Sequence, residues 1–348
     1  MRKNEKGKKK FYLALGFSLF FGLATGLEYS LGAPTLFEKV RADTLSKLGQ
    51  VPRPDRPIKI GAIPITLANP FWVTVKEGYE NTAREFNVQI DVHAVPQENS
   101  ITAQLDILEN LLAKGYHAIS AHSITPHNLI PGLVKAKAKG IPVVTDGRVD
   151  LEAAKQAGAE PIVIRLVDFY GQGKIGASYI AEELKKSGGG KVAIIEGLPG
   201  APQSEARKNG AKDIFTQEPT LKLISVQPGN WDRMKAFNIT TNLLQANPDL
   251  KGIFCANDVM ALAAVEAVEL AGKKEQVIIV GVDFISQARK AIEEGRLAGS
   301  VAQSPFLVGE MCGRAAIAAV LKKRIPQDMF IPIVLVNKDN IHQMADWR

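Results

Sequence analysis

The run TLANPFW at positions 66–72 places a carboxamide, Asn69, beside two aromatic side chains, Phe71 and Trp72. An apolar stretch before it predicts a strand, and the stretch after it predicts a helix. In α/β proteins ligands bind where the carboxyl end of a strand leads into a helix. Asn can pair with hydroxyl groups, and aromatic rings can cover the C–H face of a sugar. The run therefore predicts a ligand platform, with a turn that fills the local core as the alternative.

The basic excess of the chain is concentrated at its start. The 348 residues carry a formal net charge of +7 and have an ordinary globular composition. Most of that charge comes from six basic side chains within the first ten residues, which are Arg2, Lys3, Lys6, Lys8, Lys9 and Lys10. The remainder is close to neutral, which gives no support for a nucleic-acid surface.

An uncharged apolar stretch, Phe11 to Leu27, follows the basic tip. This order is typical of a secretory signal, and ATG at 24–26 could serve as a cleavage site. The stretch is also near the lower limit for crossing a bilayer. We therefore expect residues 1–27 to be a signal peptide or a retained anchor, with the mature protein in the periplasm or tethered outside the membrane. The two cysteines, Cys255 and Cys312, fall on apolar elements, where buried free thiols are common.

Residues 28–57 combine a partial helical period with prolines at 52, 54 and 57. This segment is interpreted as a linker or stalk. A flap that packs on the folded domain is the alternative.

From Ile58 to Glu294 apolar strands alternate with amphipathic helices, in two successive sets. Such alternation indicates parallel sheets covered by helices on both faces. The predicted fold is α/β, with two doubly wound parallel-sheet lobes joined by a hinge. We expect one lobe to comprise 58–165 with 304–331, and the other to comprise 166–303 with 332–348.

Several short motifs in one order carry a resemblance to a known family. They are LANPFW (67–72), EARKNG (205–210), QPGNWDR (227–233), NLLQANP (242–248), FCAND (254–258), GVD (281–283) and VAQ (301–303). Across nearly all of 59–340 the chain resembles the sugar-binding type 1 periplasmic binding proteins, and within them the ribose-binding and D-allose-binding members. The resemblance implies a two-lobed receptor that closes on a monosaccharide, without catalysis, cofactor or metal.

Two of the matched residues offer a charged and an aromatic contact. Arg207 stands near the start of a predicted helix, and its guanidinium can hold two hydroxyl oxygens of one ring. Trp231 lies at a strand-to-helix turn, where an indole could cover the ring face opposite Phe71 and Trp72. A solvated charge and ordinary core packing are the respective alternatives.

Three more matched residues are polar groups after apolar strands. Asn257 and Asp283 each follow a strand that reads as buried, and such groups face the cleft in this architecture. Asn257 and Asp258 also precede a helix, so one of them should cap it. We assign the cap to Asp258 and the ligand contact to Asn257. The resemblance places Gln303 at a crossing between lobes, as both hinge and ligand contact.

The loop after the strand ending at Thr145 departs from the family pattern. Ribose binders carry adjacent Asp and Arg residues here, whereas this chain has Asp146 and Arg148 separated by Gly147. Both are candidate ligand contacts, and the choice between them stays open. The allose binder also has a lysine where this chain has Ile65, which suggests a different hydroxyl pattern. The expected ligand is a ribose-like or allose-like monosaccharide, most simply a pyranose.

The family resemblance implies an ABC permease as the partner of a monomeric folded part. A membrane-tethered sugar sensor is the alternative. A repressor with this core would need an N-terminal helix-turn-helix, which the apolar start does not provide.

The sequence gives little support for an enzyme or a metal-binding protein. The glycines at 188–190 before Lys191 lack the spacing of a phosphate loop. The histidines lack a metal-binding spacing beyond the pair His117 and His122, and a GxSxG elbow is missing.

Overall fold

A computed structural model describes residues 34–348, and those from Thr35 onward fold together. The segment 1–27, for which the sequence predicts a signal peptide or an anchor, lies outside the described residues. The first described helix, α1 (Leu36–Leu48), starts with a capping box. The Thr35 hydroxyl accepts a hydrogen bond from the Glu38 backbone, and the Glu38 carboxylate accepts one from the Thr35 backbone.

The first sheet is parallel throughout and has the strand order β2-β1-β3-β4-β5. Its strands are short and mostly buried, because helices cover both faces. The strands are β1 (Lys59–Ile63), β2 (Gln89–Val92), β3 (Ala118–Ala121), β4 (Val143–Thr145) and β5 (Ile162–Val163). The helices of this lobe are α2 (Pro70–Phe86), α3 (Ile101–Ala113), α4 (Ile130–Ala138) and α5 (Leu151–Gln156).

The second sheet has the order β11-β10-β9-β8-β6-β7, and only its edge strand β11 runs antiparallel. Its strands are β6 (Gly190–Glu196), β7 (Leu221–Pro228), β8 (Leu250–Cys255), β9 (Ile278–Asp283), β10 (Gly299–Ala302) and β11 (Val334–Asn337). The helices are α6 (Phe169–Lys185), α7 (Pro202–Gln217), α8 (Arg233–Ala246), α9 (Asp258–Leu270) and α10 (Ser286–Glu293). The two-sheet α/β architecture predicted from the sequence is confirmed.

The described chain passes between the two sheets three times. It leaves the first after β5, returns after β10 through α11 (Pro305–Val320), and leaves it again to form β11. Two of these passages pair with each other, because the Met329 amide donates to the Arg165 carbonyl at 3.0 Å and the Ile331 amide donates to the Leu166 carbonyl at 2.8 Å. Paired crossings of this kind can bend together as a hinge.

Helix α1 packs on α11 and on the carboxyl-terminal residues. The ring of Phe37 meets those of Phe306 and Trp347 edge to face, with centroids 6.0 and 6.2 Å apart. Arg41 forms an ion pair at 2.5 Å with Glu310, whose side chain is fully buried in α11. Both contacts tie the amino-terminal helix to the folded domain.

Helices α6 and α7 approach each other so closely that only glycine fits at the contact. A Cβ atom at Gly173 would collide with the carbonyl oxygen of Arg207, and one at Gly210 would collide with that of Tyr170. The tight contact lets α7 bring the Arg207 side chain into the interior, where it is 4% exposed.

We expect Gly173→Ala to destabilise the fold by roughly 1–3 kcal/mol, because the added methyl must push α6 and α7 apart. Urea unfolding measures the change in the free energy of unfolding. Ser178→Ala on the same helix is the matched control and should change it by less than about 0.5 kcal/mol. Equal stability of Gly173→Ala and the wild type would contradict this account of the contact.

Candidate ligand-binding site

The aromatic run predicted as a platform lies at the end of β1 and the start of α2. Asn69 is the N-cap of α2, and its Oδ1 accepts a hydrogen bond from the Phe71 amide at 3.0 Å. The rings of Phe71 and Trp72 stand perpendicular, with centroids 5.0 Å apart, and both residues are buried. The turn therefore presents an amide and two ring surfaces at one place.

Glu98, in the loop after β2, joins these groups. One of its oxygens, Oε1, accepts from Asn69 Nδ2 at 3.0 Å and from Trp72 Nε1 at 3.2 Å. Burial raises the pKa of Glu98 to about 7, although these hydrogen bonds and the charge of Arg148 act in the opposite direction. Glu98 was not among the predicted residues. The available signal was its position after a strand adjacent to β1, at the same sheet edge.

The loop after β4 contains Asp146 and Arg148, the two candidate ligand contacts between which the sequence did not decide. Arg148 Nη1 lies 2.8 Å from Asp146 Oδ2, and the same oxygen lies 2.8 Å from His122 Nδ1. Burial alone would raise the pKa of Asp146, but the charges of Arg148 and His122 lower it overall. Gly147, at φ 85°, turns the chain between them. Asp146 thus lies behind the site and holds Arg148 toward it.

In the second lobe, Arg207 is held by three elements. Its Nε donates to Gln172 Oε1 at 2.8 Å, its Nη1 to the Ala256 carbonyl at 2.8 Å and its Nη2 to Asp283 Oδ1 at 3.1 Å. Burial lowers the pKa of Arg207, and the charge of Asp283 offsets part of that effect. Arg207 was predicted as a ligand contact, with a solvated helix charge as the alternative, and the structure buries it.

Asp283 ends β9 with an unusual backbone, at φ 111°. Burial raises the pKa of this carboxyl, while Arg207 and the hydrogen bond from Gln303 counteract the rise. Gln303 Nε2 donates to Asp283 Oδ1 at 2.8 Å. Gln303 therefore lies behind Asp283 in the first crossing after β10.

Trp231 follows β7 and packs its indole against the backbone of Gly197. A Cβ atom at Gly197 would occupy the space of the six-membered ring. The residue has φ 63°, a conformation that non-glycine residues seldom adopt. Trp231 lines the same cavity as the platform residues Phe71 and Trp72 of the first lobe.

The cap assignment for α9 was wrong. The N-cap is Asn257, whose Oδ1 accepts from the Met260 amide at 3.0 Å. Asp258 is instead buried behind α9, where its carboxylate accepts from the Ile285 amide at 2.9 Å and from Ser300 Oγ at 2.7 Å. Because an amide carries both an acceptor and donors, Asn257 can cap the helix and still offer Nδ2 to a ligand.

These groups surround a cavity of about 30 Å³ between the lobes. Eight of the ten predicted residues lie on its wall, Asp146 and Gln303 lie behind it, and Glu98 and Gln203 are additions. Gln203 starts α7 after β6, a position that the strand-end rule could have identified. The full wall consists of Asn69, Phe71, Trp72, Glu98, Arg148, Gln203, Arg207, Trp231, Asn257 and Asp283.

A model of the periplasmic binding protein domain matches residues 60–324 of the chain. This match spans most of the sequence and contains the whole wall of the cavity. The chain belongs to the periplasmic binding protein family. Membership confirms the resemblance seen in the short motifs. No helix within residues 34–348 has both the length and the apolar character needed to cross a bilayer.

The chain is similar in sequence to two curated proteins and in structure to one solved protein. The chain is 41% identical to the D-allose-binding periplasmic protein of Escherichia coli (strain K12) over 245 residues, 70% of this chain and 78% of that protein. It is 32% identical to the ribose import binding protein RbsB of Bacillus subtilis (strain 168) over 276 residues, 79% of this chain and 86% of that protein. An ABC transporter periplasmic solute binding protein from Actinobacillus succinogenes 130z, solved with bound D-allose, superposes with a TM-score of 0.77 at 33% identity and covers 82% of this chain and 99% of its own.

Removing the arginine of the buried Arg207–Asp283 pair should destabilise the fold strongly. We expect Arg207→Met to cost about 3–5 kcal/mol, because Asp283 would remain buried without its partner. The double variant Arg207→Met/Asp283→Asn should recover part of the loss, since the unpaired charge is then removed. Urea unfolding at pH 7 measures both.

Lys137→Met is the control for this pair, since Lys137 and Glu160 form an exposed ion pair worth at most about 1 kcal/mol. A loss for Arg207→Met no larger than that of the control would refute a stabilising role for the buried pair.

Proposed function

We propose that the protein binds one monosaccharide between its two lobes and delivers it to an ABC permease in the membrane. It is a binding protein and performs no catalysis. The proposal depends mainly on polar atoms of both lobes that are buried on or next to the cavity wall and are free to pair with hydroxyl groups.

Three of these atoms have no hydrogen-bond partner among residues 34–348. They are Arg148 Nε in the first lobe, and Gln203 Oε1 and Asn257 Nδ2 in the second. A buried polar atom without a partner costs about 1–3 kcal/mol. A ligand rich in hydroxyl groups would satisfy all three, because a hydroxyl both donates and accepts.

The aromatic residues supply the apolar part of the recognition. Phe71 and Trp72 lie on one side of the cavity wall, and Trp231 comes from the other lobe. Sugar rings present C–H faces as well as hydroxyl edges, which suits this combination of flat rings and polar groups. The cavity measures only about 30 Å³, so the lobes must move apart to admit a sugar.

The charges on the wall favour an uncharged ligand. Arg207 is paired with Asp283, and Arg148 is paired with Asp146 behind it. Because each arginine already has a carboxylate partner, little positive charge remains for a phosphate group. A neutral monosaccharide, most simply a pyranose, fits this balance better than a phosphosugar.

Closure of the lobes would trap the sugar. We take the first lobe as 58–165 with 304–331 and the second as 166–303 with 332–348. Each contributes donors, acceptors and rings, so full contact requires that the lobes come together. A wrong epimer would leave a desolvated partner unpaired, which gives the selectivity.

Transport is favoured over sensing, because relatives of this chain are described as import binding proteins or as parts of ABC transporters. We propose that the folded part works as a monomer outside the cytoplasmic membrane. A signal or an anchor within 1–27 would bring it there.

We expect the purified full-length chain to be stabilised by one or a few sugars from a panel of ribose, allose, galactose, xylose and inositol. A ligand at about a hundred times its Kd should add about 2.7 kcal/mol to the free energy of unfolding, a shift of several degrees in Tm. Differential scanning fluorimetry measures the shift. No response to any member of an extended monosaccharide panel would refute the proposal.

Gln203→Ala tests a wall residue that the sequence did not identify. Because Gln203 Oε1 has no protein partner among the described residues, stability should change by less than about 0.5 kcal/mol. Loss of a hydrogen bond to the sugar should raise the Kd by roughly tenfold. Calorimetric titration with the sugar found in the panel measures the Kd.

Gln217→Ala, at the exposed end of the same helix, is the matched control for Gln203→Ala. It should bind as the wild type does. If the two variants have equal Kd values, Gln203 does not contact the sugar.

A further inference from the structure

We propose that Glu98 is a sugar-binding and positioning residue of this site, in which one carboxylate oxygen fixes Asn69 and Trp72 and the other accepts a hydrogen bond from a sugar hydroxyl. This inference rests on the proposed function and identifies a chemical feature of the ligand, a hydroxyl group that points at this carboxylate.

One oxygen of the Glu98 carboxylate, Oε1, already has two partners. It accepts from both Asn69 Nδ2 and Trp72 Nε1. The bond to the indole fixes the plane of the Trp72 ring, which is the surface offered to the sugar. The bond to the amide fixes which end of Asn69 faces the helix, since Oδ1 is then left to cap α2.

The other oxygen, Oε2, accepts no hydrogen bond from the side chains or backbone of the described chain. Glu98 lines both the sugar cavity and the mouth between the lobes, which has a volume of about 410 Å³. A carboxylate oxygen at this boundary is free to meet a sugar that enters from the mouth.

A hydrogen bond between a sugar hydroxyl and the Glu98 carboxylate would be charge-assisted. A hydrogen bond to a charged group contributes more than one between neutral groups. In the closed cavity the carboxylate is partly desolvated, so its pKa lies near 7. A sugar hydroxyl that donates to the carboxylate would stabilise the charged form, so protonation of Glu98 and sugar binding compete.

The direction of the pH effect follows from that competition. Below pH 7 the empty site holds Glu98 mainly protonated, and the sugar must displace the proton to gain its hydrogen bond. Affinity should therefore increase from pH 6 to pH 8, by up to roughly tenfold.

Other ionisable groups face Glu98 or its partners and must be separated from it. Arg148 and Asp283 act on it through their charges, His122 packs its ring 5.1 Å from that of Trp72, and Asp232 and Lys235 line the mouth. All of these are retained when only Glu98 is changed. Any pH dependence that survives in a Glu98 variant belongs to them.

Two substitutions separate the two roles of Glu98. Glu98→Gln keeps an acceptor for Asn69 and Trp72 but replaces the second oxygen with a donor. Glu98→Ala removes both. We expect the Kd for the sugar found in the panel to rise by roughly 10- to 100-fold in Glu98→Gln and further in Glu98→Ala. Glu98→Gln should also lose most of the increase in affinity between pH 6 and pH 8.

Glu160→Gln is the matched control, because its carboxylate is exposed and pairs only with a surface lysine. It should bind with the affinity and the pH dependence of the wild type. Calorimetric titrations of full-length variants at pH 6, 7 and 8 provide all these values.

Monodeoxy analogues of the same sugar identify the hydroxyl. For the wild type, one analogue should bind at least tenfold more weakly than the sugar itself. For Glu98→Ala, the same analogue and the sugar should bind with about equal affinity. If Glu98→Gln binds with wild-type affinity at every pH, or if no analogue shows this coupling, the inference is wrong. If the proposed function itself is wrong, the wild type will bind no sugar, and this result differs from the two outcomes above.

Discussion

The buried ion pair between Arg207 and Asp283 connects more of the second lobe than any other contact described above. It joins α7 to the end of β9, and through Gln172 and the Ala256 carbonyl it reaches α6 and the end of β8. Gln303 adds the crossing back to the first lobe. Two charges can be buried this deeply only when their geometry and hydrogen bonds offset the loss of hydration. The elements around the pair must therefore meet in one arrangement.

The first lobe also contains a buried ion pair between an aspartate and an arginine, Asp146 and Arg148. Asp146 is held from behind by His122, and it in turn holds Arg148 toward the cavity. Phe169 lies between the two guanidinium groups, 5.2 Å from that of Arg148 and 5.6 Å from that of Arg207. Each lobe thus carries an arginine whose orientation is set by a buried carboxylate. Side chains fixed in this way lose less conformational entropy when they form hydrogen bonds.

Each lobe has an asparagine on the cavity wall that also caps a helix. Asn69 caps α2 and Asn257 caps α9, in each case through Oδ1. In Asn257 the amide nitrogen is left without a protein partner in the described structure, whereas in Asn69 it donates to Glu98. An aspartate in either position could cap the helix but could not donate. The carboxamide therefore meets both requirements at the strand-to-helix turn.

The sequence alone determined the α/β class, the two successive sheets and most of the cavity wall. Strand and helix periods are local properties, and ligand-facing residues follow strand ends, so Asn69 and Asn257 could be found from position. Arg207, which lies inside a helix, was identified through the resemblance to a known family. The bounds of helix α11 were not predicted, because it is buried on nearly all sides and has no polar face to reveal its period.

Only the tertiary structure decided which groups face the cavity and which support them. Asp146 and Arg148 are two residues apart and chemically plausible in either role, and the position of His122 directly after β3 decides between them. Glu98 and Gln203 lie in segments without a distinctive motif, and they become part of the site because distant strand ends meet at one edge. Contacts between residues far apart in sequence depend on how the sheets and helices pack, and that information is not contained in any local pattern.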